Sequence, residues 1–332
     1  MTNNESKNPI RVVFMGTPAI ALPAFQALLD ASQIRVEAVF TQPDKPAGRG
    51  QKLTPPPVKV LAEENQLQVF QPVSLRKDQA CLAWLKDQQP DFIVTLAFGQ
   101  ILSQEVLDIP KYGTVNVHAS LLPEFRGPNP IQWAILQGKT ETGLTTMLTA
   151  LSVDSGPTLL QEVLPIGPDE TMPSLAQRVG ESAGPILVKT LMGVVDGSVL
   201  PKEQEHEKAT HAPKLEKEDA FIDWAQPAQE IHNKIRGQQP SPGAATLLEG
   251  DRLKLIASTL SDLPEEIPSN SAGTILGTDR DGVLVQTGSG PLRLISVQPA
   301  GKKVMSARDW ALGTFRDSEK TYQFAGLQPA AP

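Results

Sequence analysis

The chain has one cysteine, Cys81, in 332 residues. A disulfide framework and a cysteine metal site are excluded, and a reducing compartment such as the cytoplasm is expected. Histidine is also scarce. Four are present, at positions 118, 206, 211 and 232, too dispersed to suggest a metal cluster, so no metal is expected. No apolar run approaches the roughly 18–20 residues that a membrane span needs. The start, Met1 to Pro9, is polar and carries Glu5, so it reads as neither a signal peptide nor an Arg-rich transit peptide. No G-x-G-x-x-G follows the first apolar strand and no P-loop occurs, which removes the main support for a dinucleotide-dependent oxidoreductase. Net positive charge is missing too. The balance is −7, with pI near 5.3, which taken alone argues against nucleic acid as a partner.

What is present is an ordinary globular composition, 40% apolar and 20% charged, on a chain long enough for two domains. Up to about Leu200, apolar runs alternate with amphipathic stretches. Strands read at 11–14, 36–40, 91–96, 114–118 and 145–148. Helices read at 22–29, 58–65, 79–86, 130–137 and 175–194. This order predicts a doubly wound, mostly parallel α/β sheet over residues 1–200. Residues 201–212 are polar, with alternating charge, and read as a linker. Residues 213–332 begin with one helix-like stretch, 227–236. Five short strand candidates follow, at 243–248, 253–257, 273–276, 282–287 and 292–297. That pattern suits a small β-barrel of the oligonucleotide-binding (OB-like) type.

The stretch richest in chemistry is Asn116-Val-His118-Ala-Ser120-Leu121-Leu122-Pro123, at the end of an expected strand. Asn116 and His118 are two apart and share a strand face. An amide donor beside a group that handles protons near neutrality suits a carbonyl that becomes an oxyanion. The same spacing also suits a loop-capping Asn with a satisfied core His. Asp154, in Ser152-Val-Asp-Ser-Gly156, could return to that cleft and hold the imidazole. It could equally be a turn residue. Cys81, among Leu82, Trp84 and Leu85, reads as inert packing.

Residues 116–123 closely resemble the N-x-H-x-S-L-L-P signature of the folate-dependent formyltransferases, and Asp154 matches the aspartate of their Asn–His–Asp set. Further stretches resemble the methionyl-tRNA formyltransferases more than the glycinamide ribonucleotide enzymes. They are Val12–Pro18, the loop 42–55, Arg126-Gly127 with Pro130-Ile-Gln132, and Gln298–Met305 in a C-terminal domain that the glycinamide enzymes lack. The likeness covers nearly the whole chain. Two places depart from the family pattern: Pro128-Asn129, where two small residues are usual, and the approach 150–153 to Asp154.

The resemblance implies formyl transfer from 10-formyltetrahydrofolate to the amino group of methionyl-initiator tRNA. A different amine acceptor is the alternative within that chemistry, and a noncatalytic RNA-binding protein is the alternative outside it. The implied catalytic set is Asn116 as oxyanion donor, His118 as second donor or proton shuttle, and Asp154 orienting His118. Ser120, Leu121, Leu122 and Pro123 would shape the folate site, with Ala97, Phe98, Gly99 and Gln100 receiving the pterin. The implied tRNA contacts are basic. Loop 42–59 carries Lys45, Arg49, Lys52 and Lys59 with Asp44 its sole acid, and reads as an extended arm. Positions 282–308 carry Arg293, Lys302, Lys303 and Arg308 and no acid. No stable protein partner is implied.

Overall fold

The computed structural model describes residues 8–47, 50–261, 271–317 and 320–325. In chain order the elements begin β1 (Ile10–Gly16), α1 (Leu22–Asp30), β2 (Ile34–Phe40), β3 (Lys45–Ala47), β4 (Lys52–Thr54), α2 (Pro57–Glu64), β5 (Gln68–Phe70) and α3 (Gln79–Gln88). They continue β6 (Phe92–Leu96), α4 (Gln104–Leu107), β7 (Thr114–His118), α5 (Pro130–Leu136), β8 (Glu141–Leu148), β9 (Thr158–Pro165), α6 (Met172–Asp196) and α7 (Ala228–Gly237). The last are β10 (Ala245–Leu248), β11 (Asp251–Leu260), β12 (Ile275–Thr278), β13 (Val283–Gln286), β14 (Pro291–Pro299), β15 (Met305–Ser306), α8 (Ala307–Thr314) and β16 (Phe324–Ala325). The chain divides into two compact units. The first comprises residues 1–127, 142–164 and 176–211; the second comprises 128–141, 165–175 and 212–332.

The first unit is built on a sheet of order β5-β2-β1-β6-β7-β8-β9. The pairs from β5 to β7 are parallel, and β8 runs antiparallel to β7. The apolar strands are buried on both faces, as a parallel sheet requires. Alternate residues of β1 serve opposite sides. Phe14 stacks on Phe25 of α1 with ring centroids 4.9 Å apart, while Val13 and Met15 join the cluster of Leu82 and Leu85 from α3. Asp78 begins α3 by accepting a hydrogen bond from the Cys81 amide at 3.0 Å. Cys81 is buried in that cluster, and its burial raises the thiol pKa to about 11.

This unit differs from the sequence reading in several places, including the unread short elements β5 and α4. The strand expected at 145–148 begins at Glu141, and a further strand, β9, follows at 158–165. The loop expected as an extended arm is a two-stranded ribbon, β3–β4, whose chain then enters α2 at Pro57. Proline at the helix start is compatible with the first turn, where its missing N–H has no partner to lose.

The second unit holds the antiparallel sheet β12-β13-β14-β11-β10-β16, with β15 pairing β14. A bridge between Thr274 and Gln323 joins the two edges, with Ile275 donating to Tyr322 O and Phe324 to Gly273 O, both at 2.9 Å. The strands therefore close into a small barrel. Position 273 must be glycine: its φ is +89°, and a Cβ would sit 2.4 Å from the Phe324 carbonyl. Trp224, Phe324, Leu255, Val283, Val285, Leu292 and Leu294 fill the interior.

Candidate active site

Open parallel sheets bind ligands outside their carboxyl ends, where the strand order reverses. Here that point lies between β1 and β6. The turns that follow these strands are tied together. Thr17 Oγ1 donates to the Phe98 carbonyl at 3.1 Å, and Gln42 Nε2 donates to the same carbonyl at 3.2 Å. Ala97 and Gly99 are both left-handed, with φ +50° and +82°. The peptide groups of Gly99 and Gln100 make no hydrogen bond to the chain among the described residues. The Gln100 side chain is a brace: it accepts from Leu75 N at 2.7 Å and donates to Pro72 O at 2.8 Å.

The next strand, β7, carries Asn116 and ends at His118. Thr95 of β6 lies opposite Asn116 and donates its hydroxyl proton to Asn116 Oδ1 at 2.9 Å. The amide oxygen is thereby engaged, and the amide nitrogen has no hydrogen-bond partner among the described residues. His118 is 6% exposed. Its Nε2 lies 2.9 Å from the Phe125 carbonyl, which can only accept, so Nε2 carries a proton. The other ring nitrogen, Nδ1, faces Asp154 Oδ2 at 3.5 Å. That carboxylate oxygen also accepts from Gly127 N at 2.8 Å. Asn116, His118 and Asp154 thus come from two segments nearly forty residues apart and meet at one strand end.

Residues 120–123 form the loop just beyond His118. Ser120 Oγ donates to Glu124 O at 2.6 Å, and Thr145 Oγ1 of β8 donates to Ser120 O and accepts from Leu122 N. Gln161 of β9 donates to Leu122 O at 2.8 Å, and Pro123 O accepts from Thr210 N. The Ser120 hydroxyl therefore braces the loop.

Residues 10–191 match the formyl transferase family, and residues 214–314 match the formyl transferase C-terminal domain. A methionyl-tRNA formyltransferase from Trichlorobacter lovleyi is 46% identical over 303 residues, covering 91% of this chain and 94% of that one. One from a Synechococcus species is 47% identical over 309 residues, covering 92% and 95%. The chain belongs to the methionyl-tRNA formyltransferase family. Among solved structures, the sugar 3N-formyl transferase WlaRD superposes with TM-score 0.64 at 19% identity, covering 90% of this chain and 100% of that one. HypX from Aquifex aeolicus, in complex with tetrahydrofolic acid, gives TM-score 0.60 at 18% identity over 95% of this chain and 51% of that one. At those identities the likeness is one of fold.

The basic residues expected to meet tRNA fall into distinct groups in this family member. Lys45 and Lys52 are exposed on the β3–β4 ribbon. The register pairs Ala47 with Lys52 and Lys45 with Thr54, which puts both lysines on one face. Arg49 lies outside the described residues. Lys59 is half-buried, donating to both Asp44 oxygens at 3.0 Å and to Gln71 at 2.9 Å. These contacts hold the Asp44 carboxyl below its usual range, the Gln71 hydrogen bond being the largest cause and Lys59 the next. In the second unit Arg293 is paired with Asp279, while Lys302, Lys303 and Arg308 are exposed.

Residues 201–212, read from sequence as a linker, touch the site. Gln204 and Arg126 are both buried and hydrogen-bonded to each other, and Thr210 Oγ1 accepts from Phe125 N at 2.8 Å. Nothing in the local sequence marked Gln204, because glutamine in a charged stretch is ordinarily exposed.

Proposed function

We propose that the chain transfers the formyl group of 10-formyltetrahydrofolate to the amino group of methionyl-initiator tRNA. Membership of the methionyl-tRNA formyltransferase family over nearly the full length carries this reading. The unengaged peptide groups of Gly99 and Gln100, beside the reversal of strand order, suit a polar heterocycle such as a pterin. The loop 120–123 would border the rest of the folate.

The folate supplies an activated formyl carbon. A neutral amine is nucleophile enough, so the chain needs no serine or cysteine nucleophile. Its residues must align two substrates, stabilise the charge that grows on the formyl oxygen, and let a proton pass from the amine to the departing nitrogen. Asn116 Nδ2 is the oxyanion donor, because Thr95 engages the other end of the amide. His118 handles the proton at Nδ1, since Nε2 is committed to Phe125, and Asp154 orients the ring. Alignment of two bound substrates contributes up to about 7–11 kcal/mol, so much of the protein serves positioning. Of the basic residues expected to meet tRNA, Lys45, Lys52, Lys302, Lys303 and Arg308 are exposed and available to its phosphates. On this reading the enzyme works in the cytoplasm, beside charged tRNA.

The test combines purified protein, 10-formyltetrahydrofolate and charged initiator tRNA, with the mass of the aminoacyl product as readout. Formylmethionine is the expected product. Formylation of an amino sugar but not of methionyl-tRNA would overturn the acceptor while keeping the chemistry.

A further inference from the structure

The segment between the two family matches, residues 192–213, carries a buried amide that neither match covers. Gln204 is 7% exposed, and every hydrogen-bonding position of its side chain is used. Its Oε1 accepts from Arg126 Nε at 3.1 Å and Nη2 at 2.6 Å. Its Nε2 donates to the carbonyls of Asp154 at 3.0 Å and Gly156 at 2.7 Å.

Arg126 sits between the two residues that meet the His118 site. Phe125, before it, offers its carbonyl to His118 Nε2; Gly127, after it, donates to Asp154 Oδ2. Gln204 therefore bridges the loop that holds one side of the imidazole and the loop that holds the other. Both loops need holding. Phe125 and Asp154 are left-handed, with φ +59° and +50°, a conformation that non-glycine residues adopt at a cost. A single hydrogen bond contributes little net stability, so several act together. On the far side of Asp154, Gly156 lies against β8 so closely that a Cβ would be 1.9 Å from Leu148 O.

We propose that Gln204 is a positioning residue of the transferase reaction, setting the placement of the Asp154 carboxylate against His118 through its two bonds to the 154–156 turn. The inference rests on the roles given above to His118 and Asp154. It makes residues 202–211 a working part of the first unit.

The experiment is a double-mutant cycle on the full-length enzyme, with folding checked by thermal melting and circular dichroism. Gln204→Met keeps length and removes the amide. It should lower kcat about tenfold or more, with KM for formylfolate and for methionyl-tRNA changed by less than about threefold. In an Asp154→Asn background the same substitution should lower kcat by less than about twofold further, because the lost contact is already gone. Equal falls in both backgrounds would mean a general structural role and overturn the proposal. Gln204→Glu is the second variant, for use if the methionine protein does not fold. It retains acceptance from Arg126 but turns a carboxylate oxygen on the two carbonyls, so it should be impaired in kcat as well; wild-type kcat overturns the proposal. Asp154→Asn with undiminished turnover would overturn the site reading underneath. A slowed Asp154→Asn beside an unimpaired Gln204→Met would overturn the role of Gln204 alone.

Discussion

At the scale of single residues, the orientation of one amide decides whether β7 presents a donor or an acceptor. In the fold the Thr95 hydroxyl donates to Asn116 Oδ1 at 2.9 Å, which leaves the amide nitrogen as the outward donor. Asn116→Ala removes the donor, and turnover should fall about 10²–10³-fold, with folate affinity little changed. Thr95→Val leaves the amide in place without its guide and should fall by about tenfold, as outer partners of a reacting group typically do. Steady-state kinetics on both variants check the order. A near-normal Asn116→Ala enzyme would remove the oxyanion role. The N-x-H spacing that brought Asn116 and His118 to attention was legible because β-strand geometry is local. Thr95 was not legible as a partner, since only the parallel register of β6 with β7 puts it opposite Asn116.

At the scale of elements, the β3–β4 ribbon shows how pairing sorts charges that composition lumps together. Loop 42–59 reads as four cations and one acid. In the fold Asp44 and Lys59 neutralise each other beside Gln71, and Lys45 and Lys52 stand on one face of the ribbon. The double variant Lys45→Ala, Lys52→Ala should weaken tRNA binding and reduce the slope of log K against log salt by about two. Lys59→Met should leave that slope unaltered. Binding titrations at several salt concentrations measure both. A wild-type slope in the double variant would mean that the ribbon meets no phosphates.

At the scale of the whole molecule, stability should depend on pH through a histidine of the second unit. His232 on α7 is 2% exposed and satisfied when neutral: Nδ1 is 3.0 Å from Ser258 Oγ, and Nε2 is 3.2 Å from Pro168 O. Burial lowers its pKa from the ordinary 6.5, with Arg236 adding to the effect and the exposed Asp169 carboxylate, 3.3 Å away, opposing it. As pH falls below 6.5 the unfolded chain takes up this proton before the folded one, so stability is lost in that window and is present in full above it. Denaturant titrations between pH 7 and 5 should show the decline, and His232→Gln should flatten it. Equal pH slopes in the two proteins would acquit His232.

The sequence by itself determined the alternation of strands and helices, the burial of β1, β2, β6 and β7, and the short-strand barrel with its glycine-marked turns. Those follow from patterns a few residues long, which hydrophobic periodicity and turn chemistry record directly. It also marked Asn116 and His118 as a pair. Tertiary structure alone decided the rest. It made Lys59 and Arg293 members of ion pairs, closed the barrel through Thr274 and Gln323, and brought Gln204 between Arg126 and the Asp154 turn. These partners are 14 to 78 residues apart. A side chain's partner at such separations is chosen by strand register and loop path, and no local pattern in the chain encodes either.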